Sequence, residues 1–134
     1  MKLFLKITLS VLIAIILIGA GGLFYITRGL ETGSNIEIAG IDGSSLQDGT
    51  YKGKYTSGRW SNELNITVKG GKITNIEIVK DVAFTTEGLS ANLFHRVLEN
   101  QTTTVDVVTG ATVTSKAYLK AIENALTSAQ ESKI

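Results

Sequence analysis

The chain contains no cysteine and no proline, a single histidine and a single tryptophan. Without cysteine there is no disulfide, no thiolate metal site and no lipid-modified cysteine at the N-terminus. The one histidine, His95, has no second histidine with which to share a metal. A surface or helix-edge position is expected of it, and no metal site is predicted. A marked excess of charge is missing too, with 13 Lys+Arg against 12 Asp+Glu in 134 residues. Three of those bases, Lys2, Lys6 and Arg28, flank an apolar run, and the remainder holds ten basic against twelve acidic residues, a net −2. Acids and bases alternate without a basic stripe, so nucleic acid is not expected as a partner.

What the N-terminus does have is twenty consecutive uncharged residues, Ile7 to Ile26. At about 1.5 Å per residue a helix of that length spans roughly 30 Å, the thickness of a hydrocarbon core. A lone segment in lipid must bond its backbone internally, so residues 7–26 are expected to contact lipid as a helix. Lys2 and Lys6 before the run should stay cytoplasmic, which sends the residues after Arg28 to the outer side of the cell membrane. A cleaved signal peptide is the competing reading, because Gly19-Ala20-Gly21-Gly22 supplies small residues near its end. The apolar run continues through Leu23-Phe24-Tyr25-Ile26, which favours an uncleaved single-pass anchor.

The sequence divides into an anchor at 1–28, a tether at 29–47 and a folded domain at 48–134. The 29–47 stretch mixes Gly, Ser and isolated apolar residues without a period, and a flexible linker of that length reaches about 25 Å. In the domain, Tyr51–Tyr55 alternates as a half-buried strand does. Leu64, Ile66 and Val68 alternate with polar residues, and Gly70-Gly71 separates them from a second run at 73–79. A two-residue turn would set Ile66 against Asn75 and Leu64 against Glu77. A three-residue loop with only Gly71 left-handed sets Ile76 and Ile78 on the apolar face, and is the expected form. Gly88–Gln101 reads as a helix with Leu89, Leu93, Phe94, Val97 and Leu98 on one stripe and Asn92, Arg96 and Glu99 outside it. A last helix is expected over about Thr114–Ala129, capped by Thr114 or Ser115. The fold class is α+β: a small antiparallel sheet packed with two helices, preceded by one transmembrane helix. A domain of this size is short of area for a deep cavity, so a ligand would lie in a shallow cleft.

Chemistry concentrates between the two helices. Asp106-Val107-Val108-Thr109-Gly110-Ala111-Thr112 joins a strand-like end to a helix start rich in hydroxyls, continued by Thr114 and Ser115. Gly110 and Ala111 allow a close backbone approach, and first-turn amides point at whatever lies there, as a phosphate site requires. Simple N-capping explains the same hydroxyls without a ligand. The spacing is neither a Walker loop nor a dinucleotide fingerprint.

The run Asp106-x-x-Thr109-Gly110-Ala111-Thr112 resembles the Asp-x-x-Ser/Thr-Gly-Ala-Thr flavinylation motif of the FMN-binding domain family, which includes the flavin-carrying subunits of sodium-pumping NADH:quinone reductase and Rnf-type complexes. Val113-Thr114-Ser115, the Ala-rich helix, Asp48-Gly49-Thr50-Tyr51 and Val68–Ile73 are similar to the family as well. The resemblance implies FMN joined through its phosphate to Thr112 by a flavin transferase that uses FAD as donor. It further implies a phosphate turn of Thr109, Gly110 and Ala111. Asp106 would assist the transferase or fix the turn. Family members often carry Glu-Thr-Pro-Gly before the first helix, near the flavin ring; here the stretch is Thr85-Thr86-Glu87-Gly88-Leu89 without proline, so Glu87, Gly88 and Leu89 are candidate ring contacts. Trp60 could stack on the ring, or be buried against the sheet edge. The expected function is an electron carrier on the outer face of a membrane, exchanging electrons with membrane donor and acceptor proteins. An assembly or binding subunit without flavin and a small flavin-dependent reductase are the alternatives.

Overall fold

The computed structural model describes residues 1–28, 30, 33, 35–41 and 46–131. An N-terminal helix, α1 (Lys2–Thr27), is long and apolar enough to cross a membrane, and none of its residues is buried by the rest of the chain. Three strands follow, β1 (Gly49–Tyr55), β2 (Asn62–Lys69) and β3 (Lys72–Lys80), with a 3-10 turn at Gly58–Trp60 between the first two. Helices α2 (Leu89–Asn100) and α3 (Thr112–Glu131) complete the chain. The α+β architecture is the one expected.

The strands form one antiparallel sheet in the order β1-β2-β3. The period-2 pattern of β2 puts Leu64, Ile66 and Val68 inward, all almost fully buried. Helix α3 crosses β1 and β2 while α2 lies beside β3. The crossing is close because α3 presents Ala117, Ala121, Ala125 and Ala129 at four-residue spacing, all fully buried. At Gly53 of β1 an added methyl group would lie 1.9 Å from the Ala121 carbonyl oxygen.

The hairpin corrects the expected loop while keeping the expected faces. Lys69 pairs with Lys72 across a two-residue turn, with Gly70 at φ 64° and Gly71 at φ 75°. Two positive φ values in succession are the I′ form, whose twist suits a hairpin. Ile66 nevertheless faces Ile76 and Leu64 faces Ile78, because a bulge at Thr74 restores the phase. The apolar faces thus decide the register, and a bulge rather than a longer loop supplies the extra residue.

Helix α2 begins after a left-handed Gly88 and ends at Gln101, also left-handed at φ 54°. Gln101 is held there by its own side chain: Oε1 accepts from the Ile73 amide at 2.8 Å, and Nε2 donates to the Ile73 and Leu98 carbonyls at 2.9 and 2.7 Å. The amide therefore occupies the place of a strand partner beside β3.

Part of the 29–47 stretch, namely residues 29, 31, 32, 34 and 42–45, lies outside the described residues. The rest is not the free tether expected. Leu46 is buried, and Ile38 and Ile41 pack against the core. The Ala39 amide donates to Glu123 Oε2 at 2.9 Å, and the Ile41 amide to Thr103 Oγ1 at 3.1 Å. Its scattered apolar residues have no period because they cover the domain as an irregular strap.

Candidate functional site

The site is built where the segment leading into α2 meets the turn leading into α3. In the second of these, the Ala111 amide bonds the Val108 carbonyl at 3.0 Å, closing a four-residue turn with Gly110 at φ 83°. That φ is in the region where a side chain is strained, and it accounts for glycine at this position. An added methyl group on Gly110 would meet nothing within 4 Å, so the turn is open on its outer side.

Helix α3 starts at Thr112, two residues before the expected start, and this corrects the assignment of Thr114 or Ser115 as its cap. The Ala111 carbonyl already accepts from the Ser115 amide at 2.9 Å, so helical bonding begins at Ala111. Ser115 is fully buried and its Oγ accepts from the Val108 amide at 3.2 Å, fastening the turn to the helix from inside. Thr114 is half-buried in the first turn, whereas Thr112 is exposed. The amides of Thr112, Val113 and Thr114 precede the first intrahelical bond and are free to bind an anion.

Thr109, Gly110 and Ala111 line a cleft of about 350 Å³ whose other wall is Thr86, Glu87, Gly88, Leu89 and Asn92, with Val108 at its base. Two stretches that the sequence marks separately, 87–89 and 109–111, therefore line one cleft, and Thr112 is the next residue in the chain after that lining. The volume lies in the ordinary range for small-molecule sites, about 300–1,000 Å³. Asn92 was not singled out by its sequence position. It stands outside the apolar stripe of α2, one turn past Gly88, whose carbonyl accepts the Asn92 amide at 3.0 Å. That spacing was the available signal.

The segment between β3 and α2 is tied to α3 by a hydrogen bond at its start. The buried Tyr118 hydroxyl donates to Asp81 Oδ1, which also accepts from the Val82 amide at 2.8 Å. Burial, reinforced by the Asp81 carboxylate, pushes the Tyr118 hydroxyl well above the usual tyrosine range. The Tyr118 ring also meets Phe94 of α2 edge-on, with centroids 5.6 Å apart.

Two candidates lie elsewhere. Asp106 is exposed, outside the cleft, and its carbonyl accepts from the Arg96 guanidinium at 2.8 Å. Trp60 is only 4% exposed and does not line the cleft, so it is buried rather than set to stack on a ligand there. Its ring lies under the Arg59 guanidinium at 4.2 Å. His95 is at the surface, 3.9 Å from Glu99. It borders a larger groove, about 610 Å³, between β3 and α2, which touches none of the motif residues. Among the described residues no group of His, Cys, Asp and Glu could hold a metal.

The residues lining the cleft suit a flavin mononucleotide. The open Gly110 turn and the α3 N-terminus provide a phosphate cradle, Thr112 an exposed hydroxyl, and Leu89 and Ala111 apolar surface beside the polar Asn92. None of the nine lining residues is basic. The α3 N-terminus, equivalent to about half a positive charge, is then a cationic feature that would face a phosphate placed at the turn.

Comparison with known proteins bears on the same segments. The pattern of the FMN-binding domain family matches residues 58–127, just over half of the chain. An NADH:acrylate oxidoreductase of Vibrio harveyi is 36% identical over 80 residues, covering 55% of this chain and 8% of that protein. The chain thus spans a small part of the length of that relative. No solved structure matches.

Proposed function

The chain belongs to the FMN-binding domain family, and from that premise we propose that it is a membrane-anchored electron carrier whose FMN is esterified to Thr112. The observation that carries this reading is the single cleft formed by Thr109-Gly110-Ala111 and Glu87-Gly88-Leu89 at the start of α3. When bound, FMN supplies the redox chemistry, and the protein supplies position and environment. Attachment by a flavin transferase joins the Thr112 hydroxyl oxygen to the FMN phosphorus of FAD. The bond between that phosphorus and the AMP half breaks, and AMP leaves as the threonine proton is lost. The α3 N-terminus then faces one negative charge, stabilised by roughly 0.3–1 kcal/mol. Leu89 and Ala111 offer apolar contact, and Asn92 and Glu87 offer hydrogen-bonding groups at the cleft wall. Lys2 and Lys6 favour an N-terminus on the cytoplasmic side, which puts the domain outside, where membrane proteins would give and take its electrons.

The similarity to an NADH:acrylate oxidoreductase gives a second reading, a reductase acting on an external substrate. This chain spans 8% of that relative, so the relative's whole reaction is not carried over to it.

Thr112→Val keeps the β-branched shape and removes the nucleophile, so this variant should fold and carry no covalent flavin. Thr112→Ser should retain part of the labelling, with a loss from its less restricted rotamer. Intact mass and in-gel flavin fluorescence after coexpression with a flavin transferase check both. An adduct persisting in Thr112→Val and mapped to Thr109 or Thr114 overturns the assignment.

A further inference from the structure

The turn at Gly58–Trp60 lies against the outer end of α1. An added methyl group on Gly58 would sit 3.0 Å from the Arg28 carbonyl oxygen, just past the last residue of the helix. If α1 crosses a membrane, its apolar run ends at Ile26, so Arg28 and the 58–60 turn share the level at which the chain leaves the hydrocarbon. At that level the domain presents a particular surface. The Arg59 guanidinium lies between two rings, 4.2 Å from the centroid of Trp60 and 5.6 Å from that of Phe84. Phe84 is held beside the turn because the Ala83 amide bonds the Arg59 carbonyl at 2.9 Å, yet its side chain is 56% exposed. Neither Arg28 nor Arg59 has a carboxylate partner among the described residues, and Arg59 Nε is buried without a hydrogen bond.

An exposed aromatic ring beside unpaired arginines suits the lipid interface, where rings sit at headgroup depth and guanidinium groups meet phosphate. We infer that Arg28, Arg59 and Phe84 form a membrane-docking patch, continuous with α1, that lays the domain on the lipid surface in one orientation. The occupant is the phosphodiester headgroup layer of the bilayer that α1 crosses, with Phe84 entering beneath it. The inference rests on the anchor reading above.

Trp60 is the chain's only tryptophan and lies beside the patch, so its fluorescence reports this contact alone. The full chain is reconstituted into vesicles of phosphatidylcholine with one-third phosphatidylglycerol, with or without bromine on the upper acyl carbons. Flavin loading is kept equal in the two preparations. The expected result is that the protein floats with the vesicles and that brominated lipid quenches Trp60 strongly. Phe84→Ser should reduce this quenching several-fold while the far-ultraviolet circular dichroism is unchanged. Flotation without quenching, or equal quenching in Phe84→Ser, overturns the patch and leaves the anchor standing. Failure to float overturns the anchor and with it the inference. If Trp60 is unquenched in vesicles while Phe84 resists radical labelling in native membranes, the patch belongs to a membrane protein, and the lipid assignment is overturned. The wild-type measurement decides the matter even where a variant does not fold.

Discussion

Gly53 and Gly110 are both small for a reason, but the reasons differ, and the difference is measurable. At Gly53 the obstacle is another element: an added methyl group would meet the Ala121 carbonyl oxygen at 1.9 Å and the Ala125 Cβ at 2.8 Å. Backbone of α3 cannot yield as a side chain can, so Gly53→Ala must push the helix off β1. Its expected cost is about 2–3 kcal/mol, the upper part of the range for overpacking a core. At Gly110 there is open space, and only the φ of 83° resists a side chain. Gly110→Ala should cost about 1 kcal/mol by that conformational strain. Its larger effect should be on covalent flavin yield, because the turn that presents Thr112 is distorted. Urea denaturation followed by Trp60 fluorescence ranks the two losses, and flavin fluorescence in gels ranks the yields. A greater stability loss at Gly110 than at Gly53 would mean that α3 does not press on β1 as described.

The hairpin shows what an element's sequence reveals and what it conceals. Alternation in β2 was legible, and so was the pairing of its apolar face with Ile76 and Ile78, because one buried face specifies the register. The turn was misread: a two-residue turn with a bulge and a three-residue loop satisfy the same faces, but two successive glycines suit the two positive φ values of the former, and that signal was outweighed by the apparent loss of phase. Helix α2 was bounded well by Gly88 and Gln101, whereas the start of α3 was misplaced because hydroxyls at 114 and 115 imitate a cap. Both walls of the cleft were legible as motifs. Their meeting, and the place of Asn92 in it, depends on contacts such as Tyr118 with Asp81 that span 37 positions in the chain. Because Gly70 and Gly71 both have positive φ, alanine at either should cost a similar amount, about 1–2 kcal/mol. Gly70→Asn should cost much less, since asparagine tolerates this region. The turn also carries a pH signature. Asp48 Oδ1 accepts from the Gly71 amide at 3.0 Å, and backbone donors at Gly71 and Gly70 hold its carboxyl below the ordinary value of 3.8. A depressed folded-state pKa contributes stability above the ordinary value and loses it as pH falls through the folded one. The melting-temperature gap between wild type and Asp48→Ala should therefore be constant above about pH 5 and close progressively as pH falls through and below 3.8. A gap that widens on acidification would contradict that assignment.

Across the whole molecule, the strap between α1 and the domain decides how freely the proposed flavin site could move relative to α1. A loose linker of nineteen residues would let the domain swing through about 25 Å. The described part of this stretch is instead bound along the domain, with Leu46 at 4% exposure, Ile38 and Ile41 on the core, and Ala39 and Ile41 bonded to Glu123 and Thr103. Glu123 is itself buried, and its other oxygen accepts from Lys120 at 3.0 Å. This fastening of the described residues agrees with the close approach of Gly58 to the Arg28 carbonyl and with the proposed docking of the domain on lipid. If the strap belongs to the fold, its residues must contribute to the domain's stability. Leu46→Ala in the full chain should cost about 2–3 kcal/mol, as for a buried leucine whose surroundings relax in part. Glu123→Ala leaves the Ala39 amide without its charged acceptor and should cost about 1.5–3 kcal/mol. The two losses should add to less than their sum, because either change loosens the segment that the other holds. Urea denaturation of the detergent-solubilised chain, followed at Trp60, measures all three variants. A Leu46→Ala protein as stable as wild type would restore the loose linker, and with it an electron carrier that works by reach instead of by a fixed position over the membrane.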